Sequence, residues 1–300
     1  MLLAGAENGI HVIKGDDENR RVLDSGRVMR LLEGRQKLYA ATSSGLYVSN
    51  DGVEWRRRDT PKEEVFSVSI REDELYIGTH PAHIYVSHEG GWRELQGFTE
   101  IPGRESWHTP RHRNSAHVRS LHTPADKERE VVAGVEVGGV FVSEDDVESW
   151  TAVNDSLHPD IHHLLRLDRD GYLAATGDGL YHTEKLGESW SRMDDEVQQR
   201  YFRESIRVDD SIYTAAASVS PPGWSDPEGA RAAVFEFDVN DGSLREMDCD
   251  VTPEDVVLAW TVRNDEPVAG TNGGKLLVNR EKEWRVSEEI DGAVRSMLFV

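Results

Sequence analysis

The stretch VFVSEDDVESWTAVN (residues 140–154) is answered further along by GLYHTEKLGESWSRMD (residues 179–194), with the two Trp residues 40 apart. Both read as an alternating apolar strand, a polar turn and a Trp that opens the next strand. A repeat of that period marks stacked copies of one supersecondary unit. Trp55, Trp92, Trp150, Trp190 and Trp284 each close a similar phrase, at spacings of 37, 58, 40 and 94 residues. The last spacing is two units of about 47, and the spacing of 58 is one unit of about 40 with an insertion of about 18.

Each unit begins with an apolar run such as HVRSLH or AVRSMLF. A small-residue run follows (LYAAT, LYIGT, VVAGV, YLAAT, PVAGT), then a Gly-led or similar run (GLYVS, HIYVS, GVFVS, GLYHT, KLLVN), then the Trp-containing one. Four short strands per unit of about 40 residues describe a propeller blade. Six units span residues 25–60, 61–97, 115–154, 159–194, 200–247 and 254–288, with an insertion at 98–114. The remainder is a seventh blade cut in two: residues 290–300 supply its inner strand and residues 1–24 the other three. Pairing the two ends closes the ring and removes its free edges. The expectation is therefore an all-β chain, one seven-bladed β-propeller domain over residues 1–300.

The repeated phrase itself reads as scaffold. Ser143-x-Asp145 with Ser149-Trp150, and Thr183 with Gly187-x-Ser189-Trp190, resemble the Asp-box of BNR-repeat propellers, Ser-x-Asp-x-Gly-x-Thr-Trp. Ser49, Asp51 and Trp55 form a copy shortened by one residue, while SHEGGW and NREKEW are degraded copies. The physical basis is local: a short Asp and a Ser satisfy backbone donors in a tight turn, and the Trp packs between blades. The resemblance places this turn on the face opposite the substrate face. A catalytic turn would not tolerate the loss of its Asp from copy to copy.

Composition limits the partners. Acidic residues outnumber basic ones 56 to 34, a net charge of −22, and 27 of the basic residues are Arg. A field of that sign repels nucleic acid and anionic lipid. Even acidity with Lys replaced by Arg is the composition expected of a salt-accumulating halophile, where molar salt screens repulsion beyond about 3 Å. The single Cys249 excludes an intrachain disulfide framework and a Cys-rich zinc site. No basic flank, long apolar run or membrane-length segment is found, so a cytoplasmic location is expected, without membrane contact. Nothing in the sequence calls for a cofactor.

The irregular segments collect on one face. The insertion precedes the third inner strand, NDSLHPDIHH the fourth, and ASVSPPGWSDPEGARA expands the second-to-third-strand loop of the fifth blade. Long loops on one side of a rigid repeat are where binding resides. Aligning the inner strands puts Arg30, Ser67, Arg119, His163, Arg203, Trp260 and Arg295 at one position lining the channel. Four Arg in so acidic a protein suit bidentate recognition of carboxylate or phosphate. The alternative is that these Arg are paired with loop carboxylates such as Glu7, Glu136, Asp160 and Asp178.

Trp107, His108, Arg119, Glu136, Gly138, Gly139, Asp160 and His162, with Pro221 and Trp224, also resemble recurrent elements of archaeal and bacterial BNR-like propellers often labelled glycosyl hydrolase. Three functions follow as expectations. The favoured one is a basic funnel, rimmed by Trp107, Trp224 and Trp260, that binds an anionic small molecule or a protein partner. The second is glycoside hydrolysis of an acidic sugar, with Glu136 and Asp160 as the carboxylate pair. The third is a divalent-metal site drawing on His80, His108 and His162, although no metal motif of fixed spacing is present.

Overall fold

The computed structural model describes residues 1–15, 19–238, 242–280 and 283–300. Among them lie seven antiparallel sheets of four strands each, arranged as a closed seven-bladed propeller. The inner strands of the first six blades are Val28–Glu33, Val65–Arg71, His117–His122, Ile161–Arg166, Tyr201–Val208 and Val257–Arg263. The seventh blade pairs its inner strand Val294–Phe299 with Leu2–Ala6, setting Leu2 opposite Phe299 and Ala4 opposite Met297. Ring closure through the two ends of the chain therefore takes the expected form. A short helix, Gln96–Thr99, leads into residues 98–114, which also contain two 3-10 turns, Arg104–Ser106 and His112–Asn114. Among the described residues no helix is long and apolar enough to cross a membrane.

The small residues of each second strand have a packing reason. A Cβ added to Gly78 would lie 2.6 Å from the Cβ of Val118, and one on Gly270 only 2.4 Å from Cγ1 of Val294. In both cases the first apolar residue of the next inner strand sits directly on the glycine. Ala41, Ala175 and Ala215 hold the corresponding positions in other blades, as the strand registers and clusters show. Each blade thus keys into the next, and the core is a chain of inter-blade clusters rather than one central mass.

The turn of the repeated phrase is built from hydrogen bonds. Asp51 accepts from the backbone N–H of Val53 (2.9 Å) and Glu54 (2.8 Å), and Ser49 Oγ receives Gly52 N. Asp145 accepts from Ser149 through both side chain and backbone, and these bonds pull its pKa down to about 2. Thr183 bonds Lys185 O where the Asp is missing, and Gly187 takes a φ of +90°. Trp190 is buried and donates to Val153 O of the preceding blade, whereas Trp55 fills the gap between the seventh and first blades. Trp150 packs instead on Phe98 from the insertion, with ring centroids 5.1 Å apart. Glu281 and Lys282, within the degraded copy NREKEW, lie outside the described residues.

Adjacent blades are also tied by His122, whose Nε2 donates to Leu164 O at 3.0 Å. Burial pushes its pKa down from 6.5 to about 4. The unfolded chain therefore binds a proton that the folded protein resists, and stability is lost as pH falls from 6.5 towards 4. Between pH 8 and pH 5 this one group should remove about 2 kcal/mol. Urea unfolding at both pH values should show that extra loss in the wild type and a smaller one in His122→Gln; equal losses would refute the assignment.

Candidate functional site

All seven inner strands reach the mouth of the channel with the same irregularity. Pairing jumps from Val28↔Thr42 to Arg30↔Ala41, from Val118↔Val135 to Ser120↔Gly134, and likewise in the other blades. One surplus residue sits in each inner strand, a β-bulge that re-aims a side chain. The equivalent positions are Met29, Phe66, Arg119, His162, Arg203, Leu258 and Arg295. This corrects the sequence alignment: Arg30, Ser67 and His163 lie one residue beyond that position and Trp260 two beyond. Counting by twos fails where a bulge adds a residue.

The four Arg nonetheless meet. Arg30, Arg119, Arg203 and Arg295 line one cavity together with Glu204, Met29, Phe66 and Leu258. Three of them are paired: Arg30 with Glu204 across the channel (2.8 Å), Arg119 with Glu136 (2.8 Å) and Arg295 with Glu7 (2.6 Å). Glu7 also receives Arg27, and its two Arg partners outweigh burial to keep its pKa low. Asp178 bonds Arg192 instead.

Arg203 is different. It is 6% exposed, forms no ion pair among the described residues, and its Nε has no hydrogen-bond partner. Its one polar contact is Nη1 to Tyr201 Oη at 3.5 Å, and its guanidinium lies over the rings of Tyr201 and Trp224. Burial, then the nearby Arg119 charge, pushes its pKa down to about 10. Arg119 is shifted the other way, because Glu136 outweighs the effect of burial.

The expected aromatic rim is not formed. Trp260 is buried in the cluster between the fifth and sixth blades, with its Nε1 on Glu204 O. Trp224 is 7% exposed and bonds Val219 O, supporting Tyr201 from behind. Trp107 is wedged between Phe98 and Phe141 beneath the insertion. All three Trp serve as packing groups, which is what most of their apolar surface favours.

Beside the Arg cavity, Glu136 ends the second strand of the third blade, directly opposite His117. It is almost fully buried; Arg119 donates to it, while His117 Nε2 and His112 Nε2 stand 3.0 Å and 3.3 Å from its oxygens. Burial alone would raise its pKa, but His117 and Arg119 hold it well below the usual carboxylate range. Asp160 lies 3.6 Å from His162 Nε2, and its pKa is lowered although burial alone would raise it. Both members of the proposed hydrolytic pair are thus carboxylates, and neither holds the proton that a general acid must deliver.

His163 Nδ1 accepts from Ser205 N at 3.3 Å, and burial followed by the Arg30 charge holds its pKa well below 6.5. Of the three metal candidates, only His162 lies beside Glu136 and Asp160. His80 uses both ring nitrogens, one on Glu64 and one on His112 O (2.8 Å), while His108 is exposed. Glu204 was absent from the sequence-derived site, and His112 and His117 were not among its three metal candidates. A signal was present for these two His, which flank the end of the insertion five residues apart.

No family model matches the chain, and no curated protein matches it. Solved structures do. The structure of YCF48 bound to D1 peptide has a TM-score of 0.61 at 15% identity, covering 87% of this chain and 82% of that one. The WD40 β-propeller domain of Doa1 has a TM-score of 0.65 at 12% identity, covering 99% and 88%. A GH74 xyloglucanase from Xanthomonas campestris has a TM-score of 0.60 at 14% identity; 87% of this chain is covered but only 45% of that one. Likeness at such identities reaches the fold and no further: the chain is a seven-bladed β-propeller.

Proposed function

We propose that the protein binds a small anionic group, a carboxylate or a phosphate, at the top of its central channel, with Arg203 as the anchor. The supporting observation is the uncompensated guanidinium: Arg203 is buried beside Arg119 and Arg295 while each of those has its own carboxylate. A buried charge without a partner is destabilising unless a ligand supplies one. Arg offers the planar fork that such oxyanions accept. The anion arrives as a free metabolite or as an acidic side chain or C-terminus of a partner protein. The neighbour whose structure holds D1 peptide makes the second source worth testing, as fold analogy only. We also read the chain as an Asp-box propeller and its acidity as adaptation to a salt-rich cytoplasm.

The test is a thermal-shift panel in molar KCl with phosphate, sugar acids, sugar phosphates and acidic peptides. A ligand at 100 times its Kd should add about 2.7 kcal/mol to wild-type stability. Arg203→Met should abolish that shift while unfolding no earlier than the wild type, since it removes an unpaired charge and keeps the volume. Response to peptides alone would identify a protein partner, and response to free anions a metabolite. No response in the wild type, or a shift retained in Arg203→Met, would overturn the proposal.

A further inference from the structure

Glu136 is the centre of a second constellation that anion binding does not use. One ligating atom each from His112, His117 and Glu136 lie within 4.8 Å of one another, and the same holds for Glu136, Asp160 and His162. The two groups share Glu136 and come from four separate segments: the insertion, the third inner strand, its neighbour and the entry to the fourth inner strand. His117 and His162 have wholly buried side chains.

The hydrogen bonding of these imidazoles is incomplete in a particular way. His162 Nδ1 faces Phe202 O at 2.5 Å, and a carbonyl only accepts, so Nδ1 carries the proton. In the neutral ring Nε2 is then the lone-pair atom; it is buried, without a hydrogen bond, and 3.6 Å from a carboxylate oxygen of Asp160. The other oxygen of Asp160 is also buried and unpartnered, as are both ring nitrogens of His117. A lone pair held against a carboxylate is repulsive unless something positive lies between them. A backbone carbonyl that fixes one ring nitrogen while the other points at carboxylates is also how metal-ligating His is oriented. His112 is brought over the site by three successive residues at positive φ, 112 to 114, an unfavourable backbone for side-chain-bearing residues.

We propose that this cluster binds a divalent first-row transition-metal ion, through Glu136 with His117 and His162 as the essential nitrogen ligands and with His112 and Asp160 completing it. Imidazole and carboxylate together suit Zn²⁺, Mn²⁺, Fe²⁺ or Co²⁺ rather than Ca²⁺, which takes oxygen ligands. The charge is compatible: two carboxylates, Glu136 and Asp160, offset the ion, and among the described residues Arg119 is the one Arg or Lys paired with them.

The experiment uses the full-length protein, stripped with a chelator and then titrated with Co²⁺ and Zn²⁺. The expected result is stoichiometric metal retained through gel filtration and Co²⁺ visible absorption more intense than that of the aqueous ion. His117→Gln and His162→Gln should each weaken binding at least tenfold, while His88→Gln, at an exposed position outside the cluster, should not. Should a variant lose its cooperative thermal transition, the Co²⁺ spectrum of the wild type decides alone. Absence of retained metal with an aqueous-type spectrum, or unchanged affinity in both folded variants, would overturn the proposal.

Discussion

A chain lacking residues 293–300 is expected to lose cooperative folding altogether. The segment is the inner strand of the seventh blade, and its loss strips Leu2–Ala6 of a partner along its whole length. Val294 and Met297 are buried in the cluster with the sixth blade. Leu298 packs on the other side against the first blade, and Ser296 Oγ receives Leu31 N at 2.8 Å. Burying these apolar side chains is worth roughly 1.5–3 kcal/mol each. The sum rivals the whole stability of an ordinary domain, about 5–15 kcal/mol. The loss also exposes the edge of Leu2–Ala6, now without its partner strand. Urea unfolding followed by near- and far-ultraviolet circular dichroism checks this, and a truncated chain with the wild-type midpoint would refute it. A circular permutant supplies the converse. Val300 N lies 2.9 Å from Met1 O, so a short linker joins the ends, and new termini between residues 24 and 25 should leave the protein folded.

The architecture was legible because it rests on local chemistry repeated in phase. Trp spacing, Gly-led strands and small-residue strands each encode a contact that recurs once per blade, such as Gly78 under Val118. The Arg convergence was also legible, because aligning the inner strands grouped Arg30, Arg119, Arg203 and Arg295, which line one cavity. Its register was not, because the bulge after Val28 and its equivalents breaks the period of two. Trp224 and Trp260 were misplaced for another reason. A Trp serves equally as an exposed anchor or as inter-blade packing, and only three-dimensional contacts decide. The pairing of Arg30 with Glu204 joins residues 174 apart in sequence, and no spacing rule announces it. For the same reason the sequence could not say which Arg would be left without a carboxylate.

Replacing Glu136 separates stability from affinity. Glu136→Ala removes the carboxylate from a buried site and leaves Arg119 facing His117 and His112 without compensation. Breaking a buried ion pair on one side typically destabilises by about 3–5 kcal/mol. Glu136→Gln keeps the shape and should lose less. Replacing both partners, Glu136→Gln with Arg119→Met, should recover part of the loss, with a coupling of about 1–3 kcal/mol in a double-mutant cycle. Additive losses would show that the pair is not an energetic unit. The anion site responds with the opposite sign. Removing one negative charge beside Arg203 strengthens the positive field in the cavity, so Glu136→Gln should bind the anion more tightly while being less stable. The comparison belongs in chelator, so that metal plays no part in it. A hydrolase relying on Glu136 would instead lose its activity in the same variant. Unchanged or weaker anion binding in a folded Glu136→Gln protein would place the anion elsewhere than beside Arg203.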